Sequence, residues 1–461
     1  MNLTMGDVLS VKHLSAHNIS RPKNLKFSGV STDSRAVKKG NLFVALRGQN
    51  FDGNRFVARA FRRGAAAAVV DSPGGRRQAG SKPVVVVPDG TKTLGELASA
   101  YRNKFSIPLV AVAGSNGKTT AREMIAAVLA KKYRVLRTRG NLNNHIGVPM
   151  TLFGLRPGHR IAVVELGANH FGEVRYLAGI ADPTHGIITN IGREHLKYFR
   201  DLDGVARAEG ELYDYLKDNG GTAFVNADDS RLRQRGKRLT KKVTYGFSGA
   251  GRSVRGSRLR VGEDGCARFT VKPRGKRSFP VDMPVPGPHN ASNGLAAAAV
   301  GLAFGVSRAS LRRALGRFRA VGRRMEVLRA GGVTILNDTY NANPESVVSA
   351  LETLSLFSGR GKRVVVLADM LELGKNSARE HERIGRAIAR FGFTDVLTYG
   401  RLAGWYRRGA KRGRHFTDKK RLSRELRKIV SRGDVVLVKG SRGMKMEEVA
   451  GALAGHLGSA A

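Results

Sequence analysis

A glycine-rich run in the first third of the chain carries the clearest chemical signal. It comprises Gly114, Ser115, Asn116, Gly117, Lys118, Thr119 and Thr120, between an apolar run and a helix-like segment. Glycines let backbone N–H groups approach phosphate oxygens, and the start of a helix adds positive potential. Lys118 can reach the outer phosphates of a nucleotide, and Thr119 can ligate Mg²⁺. The run predicts a nucleotide-phosphate site, although Val112 stands where the general P-loop pattern has its first glycine.

Two further polar residues follow later apolar runs. Glu165 lies in the run 161–166, and His195 lies just past the run 186–191. In a parallel sheet the carboxyl ends of the strands line the ligand crevice. A carboxylate and an imidazole at that edge can hold Mg²⁺ beside a nucleotide. Either residue alone is more often a structural polar group, but their position after the glycine-rich run favours a role at the same site.

The elements that must position these residues alternate between strand-like apolar runs and helix-like segments. This alternation predicts an α/β fold with parallel sheets. Strands are predicted at 42–46, 65–70, 83–87, 107–114, 161–166, 186–191, 222–226, 333–338, 362–368, 395–400 and 434–440, and helices at 119–131 and 289–305. The basic stretch 241–280 has alternating character and is interpreted as a small antiparallel insertion.

The chain of 461 residues is long enough for three domains, at about 100–200 residues each. Residues 1–104 are predicted to form a small mixed domain. Residues 105–322 contain the glycine-rich run and form a central P-loop domain. Residues 323–461 have their own strand–helix alternation and form a Rossmann-like domain, with the stretch 316–324 as a hinge.

The sequence also indicates a compartment. Cys266 has no second cysteine with which to form an internal disulfide. The first residues lack the pattern of a secretory signal, and no run reaches the roughly 18 apolar residues of a membrane-spanning helix. We therefore expect a cytoplasmic protein.

The formal net charge of +45 is high for an enzyme of small molecules. Charge alone favours a nucleic-acid partner or contact with an anionic membrane. The excess is spread along the chain, and the sequence has no zinc-finger spacing and no RNA-recognition aromatic motif. A generally cationic surface that attracts anionic substrates is the simpler interpretation, and peripheral membrane contact stays open.

Several longer motifs resemble those of one family. The runs GSNGKTT (114–120), NLNNHIGVP (141–149), ELGANHFGE (165–173), TNIGREH (189–195) and GPHNASN (287–293) are similar to central-domain motifs of the Mur ligases. The runs NDTYNANPESV (337–347), LADMLELG (367–374) and VKGSRGMKMEEV (438–449) resemble C-terminal motifs of the member that adds D-alanyl-D-alanine. STDSRAVKKGNLFVALRGQNFDGNRFV (31–57) resembles the UDP-binding domain of that member. The order and span of these motifs identify the chain as a member of the Mur ligase family.

The resemblance implies the three-domain Mur ligase architecture and a role for each domain. The N-terminal domain would bind the UDP part of the substrate through Ser31, Thr32, Asp33, Ser34 and Arg35. The central domain would bind ATP, with the glycine-rich run at its phosphates and with Thr119, Glu165 and His195 near Mg²⁺. Asn290 and Asn293 would face the adenine, whose edge suits amide groups. For residues 31–35 the structural alternative is a turn formed by serine and aspartate side chains. For Asn290 and Asn293 it is a helix N-cap with a surface asparagine.

For the C-terminal domain, the resemblance implies a nucleotide-contacting loop and a dipeptide site. The loop would comprise Asp338, Tyr340, Asn341 and Asn343, with Arg323 neutralising phosphate charge. Lys439, Ser441 and Arg442 would meet the dipeptide carboxylate or the transferred phosphoryl group. A basic surface loop is the alternative for these last three residues.

The chain departs from the family at one position. Many Mur ligases have a lysine about 14 residues past the His195 position, and its carbamate supplies a carboxylate near the metal. Simple register places Glu209 there. Our hypothesis is that Glu209 takes this role directly or through water.

The implied reaction is ATP-dependent ligation of D-alanyl-D-alanine to UDP-N-acetylmuramoyl-tripeptide through an acyl phosphate, by a monomeric enzyme. Other ligases of the superfamily fit less well. The tripeptide-forming ligase has an Asp-Asn-Pro-Arg stretch where this chain has YNANPES, and folylpolyglutamate synthetase lacks the N-terminal domain. A nucleic-acid-stimulated P-loop ATPase and a scaffold without catalysis are alternatives from other classes.

Overall fold

The fold comes from a computed structural model that describes residues 1–19, 25–358, 361–393 and 395–459. The chain divides into two compact units. The first comprises residues 1–111, 133–167 and 174–185, and the second comprises residues 112–132, 168–173 and 186–461.

The strands of the described residues match most of the predicted apolar runs. They are β1 (Leu3–Thr4), β2 (Ser15–His17), β3 (Lys26–Phe27), β4 (Gly29–Ser31), β5 (Asn41–Val44), β6 (Arg47–Gly48), β7 (Phe51–Asp52), β8 (Ala67–Val70), β9 (Val84–Val86), β10 (Leu109–Ala113), β11 (Val135–Arg137), β12 (Ile161–Glu165), β13 (His185–Ile188), β14 (Thr222–Asn226), β15 (Lys242–Gly246), β16 (Val254–Val261), β17 (Cys266–Pro273), β18 (Phe279–Pro286), β19 (Glu326–Ala330), β20 (Val333–Asp338), β21 (Arg363–Ala368), β22 (Asp395–Tyr399), β23 (Arg414–Phe416) and β24 (Val435–Lys439).

The α-helices fill most of the connections between these strands. They are α1 (Met5–Ser10), α2 (Val57–Arg62), α3 (Pro73–Ala79), α4 (Gly90–Arg102), α5 (Lys118–Leu129), α6 (Gly147–Leu152), α7 (Glu173–Ala181), α8 (Leu196–Phe199), α9 (Leu202–Asp218), α10 (Ser230–Gly236), α11 (Pro288–Ala303), α12 (Arg308–Gly316), α13 (Pro344–Ser355), α14 (Ser377–Arg390), α15 (Gly404–Ala410), α16 (Lys419–Ile429) and α17 (Glu447–Ser459). Short 3₁₀ helices lie at Gly53–Phe56, Gly374–Asn376 and Arg442–Met444.

The first unit is built on a five-stranded sheet in the order β2-β9-β8-β5-β4. Strands β4, β5, β8 and β9 are parallel to one another. The edge strand β2 pairs with β9 in the antiparallel direction. Fully buried alanine and valine side chains of β8 explain why this strand reads as a continuous apolar run. The unit also contains the parallel pair β11–β12, and β12 ends at Glu165.

The second unit contains the basic insertion, which differs in part from the predicted antiparallel sheet. Strands β16, β17 and β18 are antiparallel neighbours and extend to Pro286, beyond the predicted end at residue 280. Strand β15 is instead parallel to both β14 and β16. Alternation of exposed and buried residues predicts a half-buried strand, but it does not determine the direction of its neighbour.

The second unit ends in a six-stranded sheet in the order β19-β20-β24-β21-β22-β23. All its pairings are parallel except that of the edge strand β19. Alternate residues of one strand pack on opposite faces: Val365 packs with helices α13–α15, and Val366 with α16 and α17. The last strand, β24, lies between β20 and β21, so Asp338 and Lys439 are register partners at adjacent carboxyl ends.

Candidate functional site

The glycine-rich loop joins β10 to α5, as predicted. Gly114 and Gly117 both have positive φ angles, of 113° and 79°. A Cβ atom on Gly114 would lie 2.4 Å from Oγ1 of Thr189, so the turn has no room for a side chain there. Lys118 is the first residue of α5, and the adjacent loop N–H groups therefore lie at a helix N-terminus.

The segment after β13 holds this loop in place. Ser115 N–H donates to the Asn190 carbonyl at 2.9 Å, and its Oγ accepts from Gly192 N–H at 2.8 Å. Asn116 N–H donates to Oδ1 of Asn190 at 3.1 Å, while Thr189 Oγ1 donates to the Asn116 carbonyl at 2.6 Å. The loop is thus fixed largely by backbone and amide contacts.

Lys118 contacts two acidic side chains. Its Nζ lies 3.3 Å from Oε2 of Glu194 and 3.8 Å from Oε1 of Glu209. Both glutamates are buried. Thr119, the predicted metal ligand beside Lys118, is also buried, with 7% of its surface exposed.

Glu209 lies on α9 directly beneath the glycine-rich loop. Its Oε2 accepts a hydrogen bond from Gly114 N–H at 2.6 Å. Burial raises the pKa of Glu209 to about 8; Lys118 opposes this shift, and the nearby Glu194 adds to it. The structure therefore brings Glu209 to the loop, as the register argument predicted, and places it in a strongly perturbed environment.

Glu165 belongs to the first unit and ends β12, as predicted. Its side chain is buried and its Oε1 accepts from Nδ2 of Asn143 at 2.9 Å. Its backbone N–H donates to Oγ1 of Thr138 at 3.0 Å. These two contacts fix the carboxylate within its own unit.

His195 contacts the C-terminal part of the second unit. It has a left-handed backbone conformation, with φ of 46°, at the start of α8. Its Nδ1 lies 2.7 Å from Oε2 of Glu372, and this hydrogen bond lowers the pKa of Glu372. Among the described residues, no group of three or more His, Cys, Asp and Glu side chains is arranged as a metal site.

The two predicted adenine residues lie on the first turns of α11. Nδ2 of Asn293 donates to Oδ1 of Asn290 at 3.3 Å, and Nδ2 of Asn290 donates to the Pro286 carbonyl at 2.6 Å. A Cβ atom on Gly117 would lie 2.8 Å from Oδ1 of Asn293. Asn293 therefore packs against the glycine-rich loop, and Asn290 orients it.

The C-terminal loop after β20 also reaches the glycine-rich loop. Asn343 caps α13, and its Nδ2 donates to Oδ1 of Asn116 at 2.8 Å. Nearby, Nη1 of Arg193 donates to Oε1 of Glu345 at 2.8 Å. These contacts join the loop after β13 and the glycine-rich loop to the start of α13.

Lys439 supports that C-terminal loop from below. Its Nζ donates to Oδ2 of Asp338 at 2.6 Å and to the Asn341 carbonyl at 2.9 Å. Ser441 is similarly engaged, since its Oγ donates to the Ala342 carbonyl at 3.2 Å. Both residues are buried, and the structure gives these two predicted dipeptide residues intramolecular partners.

Arginine side chains gather around Tyr340 and Glu447. Nη1 of Arg323 donates to Oε1 of Glu447 at 2.5 Å, and Nη1 of Arg442 lies 3.5 Å from the same oxygen. The guanidinium of Arg324 lies 3.6 Å from the centre of the Tyr340 ring. The structure thus brings Arg323, Arg442 and Tyr340 together as a cationic cluster.

The predicted uridine-diphosphate residues form a turn after β4 in the first unit. Asp33 and Arg35 form an exposed ion pair, with Nη2 of Arg35 2.9 Å from Oδ2 of Asp33. Hydrogen bonds from Arg35 lower the pKa of Asp33 to about 2. Ser31 and Ser34 are buried, and Oγ of Ser31 donates to the Asp33 carbonyl at 2.9 Å. Thr32 lies between them in the same turn.

Sequence reasoning missed several residues of the site. Glu194 contacts Lys118, and Asn190 holds the glycine-rich loop. Glu345 pairs with Arg193, and Glu372 pairs with His195. Glu194 and Asn190 both lie within the TNIGREH run, so their position beside His195 was an available signal. Glu345 and Glu372 likewise lie within the runs 337–347 and 367–374, but neither run indicates which residue of the central domain each one contacts.

Comparison with known families agrees with this arrangement. The Mur ligase middle-domain model matches residues 112–301, the glutamate ligase domain model of the Mur ligases matches 323–442, and the Mur ligase catalytic-domain model matches 26–102. The chain belongs to the Mur ligase family. The three-domain α/β architecture and the class of ATP-dependent amide-bond-forming ligase are thereby confirmed.

Within the family, the similar relatives share one particular name. A protein of Bacillus subtilis named UDP-N-acetylmuramoyl-tripeptide–D-alanyl-D-alanine ligase is 36% identical, covering 91% of this chain and 92% of the relative. The Escherichia coli protein of that name is 37% identical, covering 93% and 94%.

Solved structures show the same similarity. A MurF crystal structure from Acinetobacter baumannii has a TM-score of 0.91 at 30% identity and covers 99% of both chains. MurF ligase from Thermotoga maritima, in complex with ADP, has a TM-score of 0.85 at 28% identity, covering 95% of this chain and all of that one. The ADP complex supports nucleotide use by the family. In the part of this chain that the structure describes, no helix is long and apolar enough to cross a membrane.

The environment of Glu209 predicts a pH-dependent stability difference. Its pKa is about 8 in the folded chain against an ordinary value of 4.5, so the folded chain keeps a proton that the unfolded chain releases. The unfolding free energy of the unaltered chain should therefore lose a contribution as pH rises between these values. Glu209→Gln lacks this titration, and its amide oxygen can still accept from Gly114. We expect the variant to gain relative stability as pH rises from 4.5 to about 8, with no further gain above.

Urea unfolding in metal-free buffer across this pH range measures the difference. Glu352→Gln removes a carboxylate from the exposed surface of α13 and is the matched control. A stability difference for Glu209→Gln that does not change with pH would contradict the perturbed titration.

Proposed function

We propose that this chain joins D-alanyl-D-alanine to UDP-N-acetylmuramoyl-tripeptide, with cleavage of ATP to ADP and phosphate. The product would be UDP-N-acetylmuramoyl-pentapeptide, a precursor of peptidoglycan. The observation that carries the proposal is the glycine-rich loop with Lys118 and its buried carboxylates, within a chain similar over more than nine tenths of its length to ligases of that name.

The reaction needs an activated carboxylate, because oxide is a poor leaving group. An oxygen of the terminal tripeptide carboxylate attacks the γ-phosphorus of ATP, and ADP leaves. The dipeptide amine then attacks the acyl carbon of the acyl phosphate, loses a proton, and expels phosphate as the amide forms. The chain contributes mainly position and charge: Lys118 and Arg323 would neutralise the transferred phosphoryl group.

The donor set beneath the loop fits Mg²⁺, which prefers hard oxygen ligands. Thr119 and Glu209 would hold the ion, with His195 also assigned to it. Buried Oε1 atoms of Glu194 and Glu209 accept no N–H hydrogen bond, and the two carboxyl groups lie within hydrogen-bonding reach of each other, an arrangement that suits a shared cation. Bound Mg²⁺ would supply neutralisation of phosphate charge. For His195 this assignment requires release of its contact with Glu372.

The remaining nucleotide contacts follow the geometry around the loop. Gly114 to Thr120 would surround the phosphates. Asn290 and Asn293 would face the adenine from α11. Asp338, Tyr340, Asn341 and Asn343 would form the C-terminal wall, since Asn343 already contacts Asn116 in the loop.

The substrate contacts are assigned by domain. Ser31, Thr32, Asp33, Ser34 and Arg35 would bind the uridine diphosphate part, with Arg35 exposed for phosphate. Arg442, which is exposed, would meet the dipeptide carboxylate, while Lys439 and Ser441 would shape that region. We place the domain boundaries at 1–104, 105–322 and 323–461, in a monomeric enzyme of the cytoplasm.

The surface charge has a separate proposed consequence, which is peripheral contact with an anionic membrane. A net charge of +45 attracts anionic headgroups, and salt should screen that attraction. The full chain should therefore sediment with phosphatidylglycerol vesicles at low salt and be released at high salt. Equal recovery with neutral phosphatidylcholine vesicles, or none with anionic ones, would refute the contact.

Phosphate release tests the ligase reaction directly. The full chain would be mixed with ATP, Mg²⁺, the UDP-tripeptide and the dipeptide, and each acceptor would be omitted in turn. We expect release to require both acceptors and to accompany a UDP-pentapeptide detected by mass. Release that ignores both acceptors but rises with added RNA or DNA would instead support a nucleic-acid-stimulated ATPase.

Lys118 provides the matched test of the loop. Lys118→Ala removes the ammonium that faces the phosphates, so we expect turnover to fall by at least about 10³-fold while the fold survives. Circular dichroism checks the fold, and Lys132→Ala on the same unit removes a lysine outside the loop. Turnover retained in Lys118→Ala would overturn the assignment of the nucleotide site.

A further inference from the structure

Glu194 is a buried acid at the nucleotide site with no assigned role. It lies in the loop after β13, and its Oε2 is 3.3 Å from Nζ of Lys118. Its side chain is 7% exposed. Its Oε1 is buried and accepts no hydrogen bond from an N–H group, and its carboxylate lies within hydrogen-bonding reach of the Glu209 carboxyl.

Such an oxygen is costly in the folded chain. A buried carboxylate oxygen without an N–H partner loses its hydration, and here the neighbouring group is the Glu209 carboxyl, which can donate only while it is protonated. Glu209 lies on the other side of the same ammonium, and burial raises its pKa to about 8. While it is protonated, Glu209 shares a side-chain hydrogen bond with Glu194, so Glu194 is the carboxylate that pairs with Lys118 at neutral pH.

Nucleotide binding would add negative charge beside this Lys118–Glu194 pair. The phosphates of ADP or ATP bring further negative charge to Lys118, where they meet Glu194 at close range. In a buried site such like-charge contacts are poorly screened. A divalent cation that accepts carboxylate oxygens removes the repulsion and supplies a partner for the free oxygen.

We propose that Glu194 is a positioning residue that makes nucleotide binding depend on Mg²⁺. Its Oε2 holds Lys118 before nucleotide binds and opposes phosphates that arrive without metal. Its Oε1 accepts from the hydration shell of the ion when metal and nucleotide bind together. This inference rests on the proposed nucleotide function, and it assigns Glu194 a role in addition to that of Glu209.

Calorimetric titration with ADP, with and without Mg²⁺ at one ionic strength, tests the role without turnover. The full chain would be compared with Glu194→Gln, Glu194→Asp and Glu352→Gln, the last removing one exposed carboxylate from α13. Without Mg²⁺, Glu194→Gln should bind ADP about tenfold more tightly than the unaltered chain does. The factor by which Mg²⁺ tightens ADP binding should be about tenfold smaller in this variant, which is the effect of one well-placed charge. Glu194→Asp keeps the charge and should recover part of the Mg²⁺ effect.

The outcomes separate this inference from the proposed function. An unaltered chain that does not bind ADP would refute the nucleotide site, and with it the role of Glu194. An unaltered chain whose ADP affinity ignores Mg²⁺ would refute the metal assignment. If the unaltered chain depends on Mg²⁺ and Glu194→Gln depends on it equally, only the Glu194 inference fails. If Glu194→Gln and Glu194→Asp both lower the affinity for ADP equally, with and without Mg²⁺, Glu194 has only a packing role. That result would also refute the inference about Glu194.

Discussion

The contact between Lys118 and its two buried glutamates is the constraint around which the nucleotide site is organised. Glu194 and Glu209 hold this ammonium from two different elements, which would keep it in place for the phosphates it is proposed to meet. Glu209 also accepts from Gly114 N–H, so the same carboxylate fixes the lysine and the loop that presents it. Because both acids are buried, their interactions with Lys118 are weakly screened by solvent.

The C-terminal sheet completes this region through its strand order. Insertion of β24 between β20 and β21 brings Lys439 beside Asp338, and Lys439 then supports the loop that follows β20. That loop ends at Asn343, whose side chain caps α13 and bonds to Asn116. A contact at the glycine-rich loop therefore depends on a strand pairing near the other end of the chain. The His195–Glu372 pair is a second link of the same kind.

Local patterns in the sequence predicted what depends on local physics. The apolar run before Gly114 and the glycines themselves determine a strand, a turn and a helix start, and the structure has them at β10 and α5. The hypothesis for Glu209 came from the family resemblance and a count of residues from His195, and the structure places this side chain against Gly114 from α9. Partners brought together by tertiary packing could not be found this way: nothing near Lys439 in the sequence indicates that its charge is matched by Asp338. The direction of β15 was missed for the same reason, since pairing is set by the neighbouring strands.

The distribution of charge is the physical basis of the proposed preference for a metal-bound nucleotide. The chain has 81 Lys and Arg against 36 Asp and Glu, so long-range attraction draws in anions of any kind. Close to the glycine-rich loop the local charge differs from this overall positive charge, because the acidic side chains of Glu194 and Glu209 lie beside Lys118. An anion without a cation is attracted by the overall positive charge and repelled by negative charge beside Lys118. On the proposed role of Glu194, a nucleotide that carries its own divalent cation would avoid this opposition, because the cation would neutralise phosphate charge beside the carboxylates. Because Lys and Arg outnumber Asp and Glu over the chain as a whole, the acidic groups beside Lys118 are a local feature of the glycine-rich loop and not of the general surface.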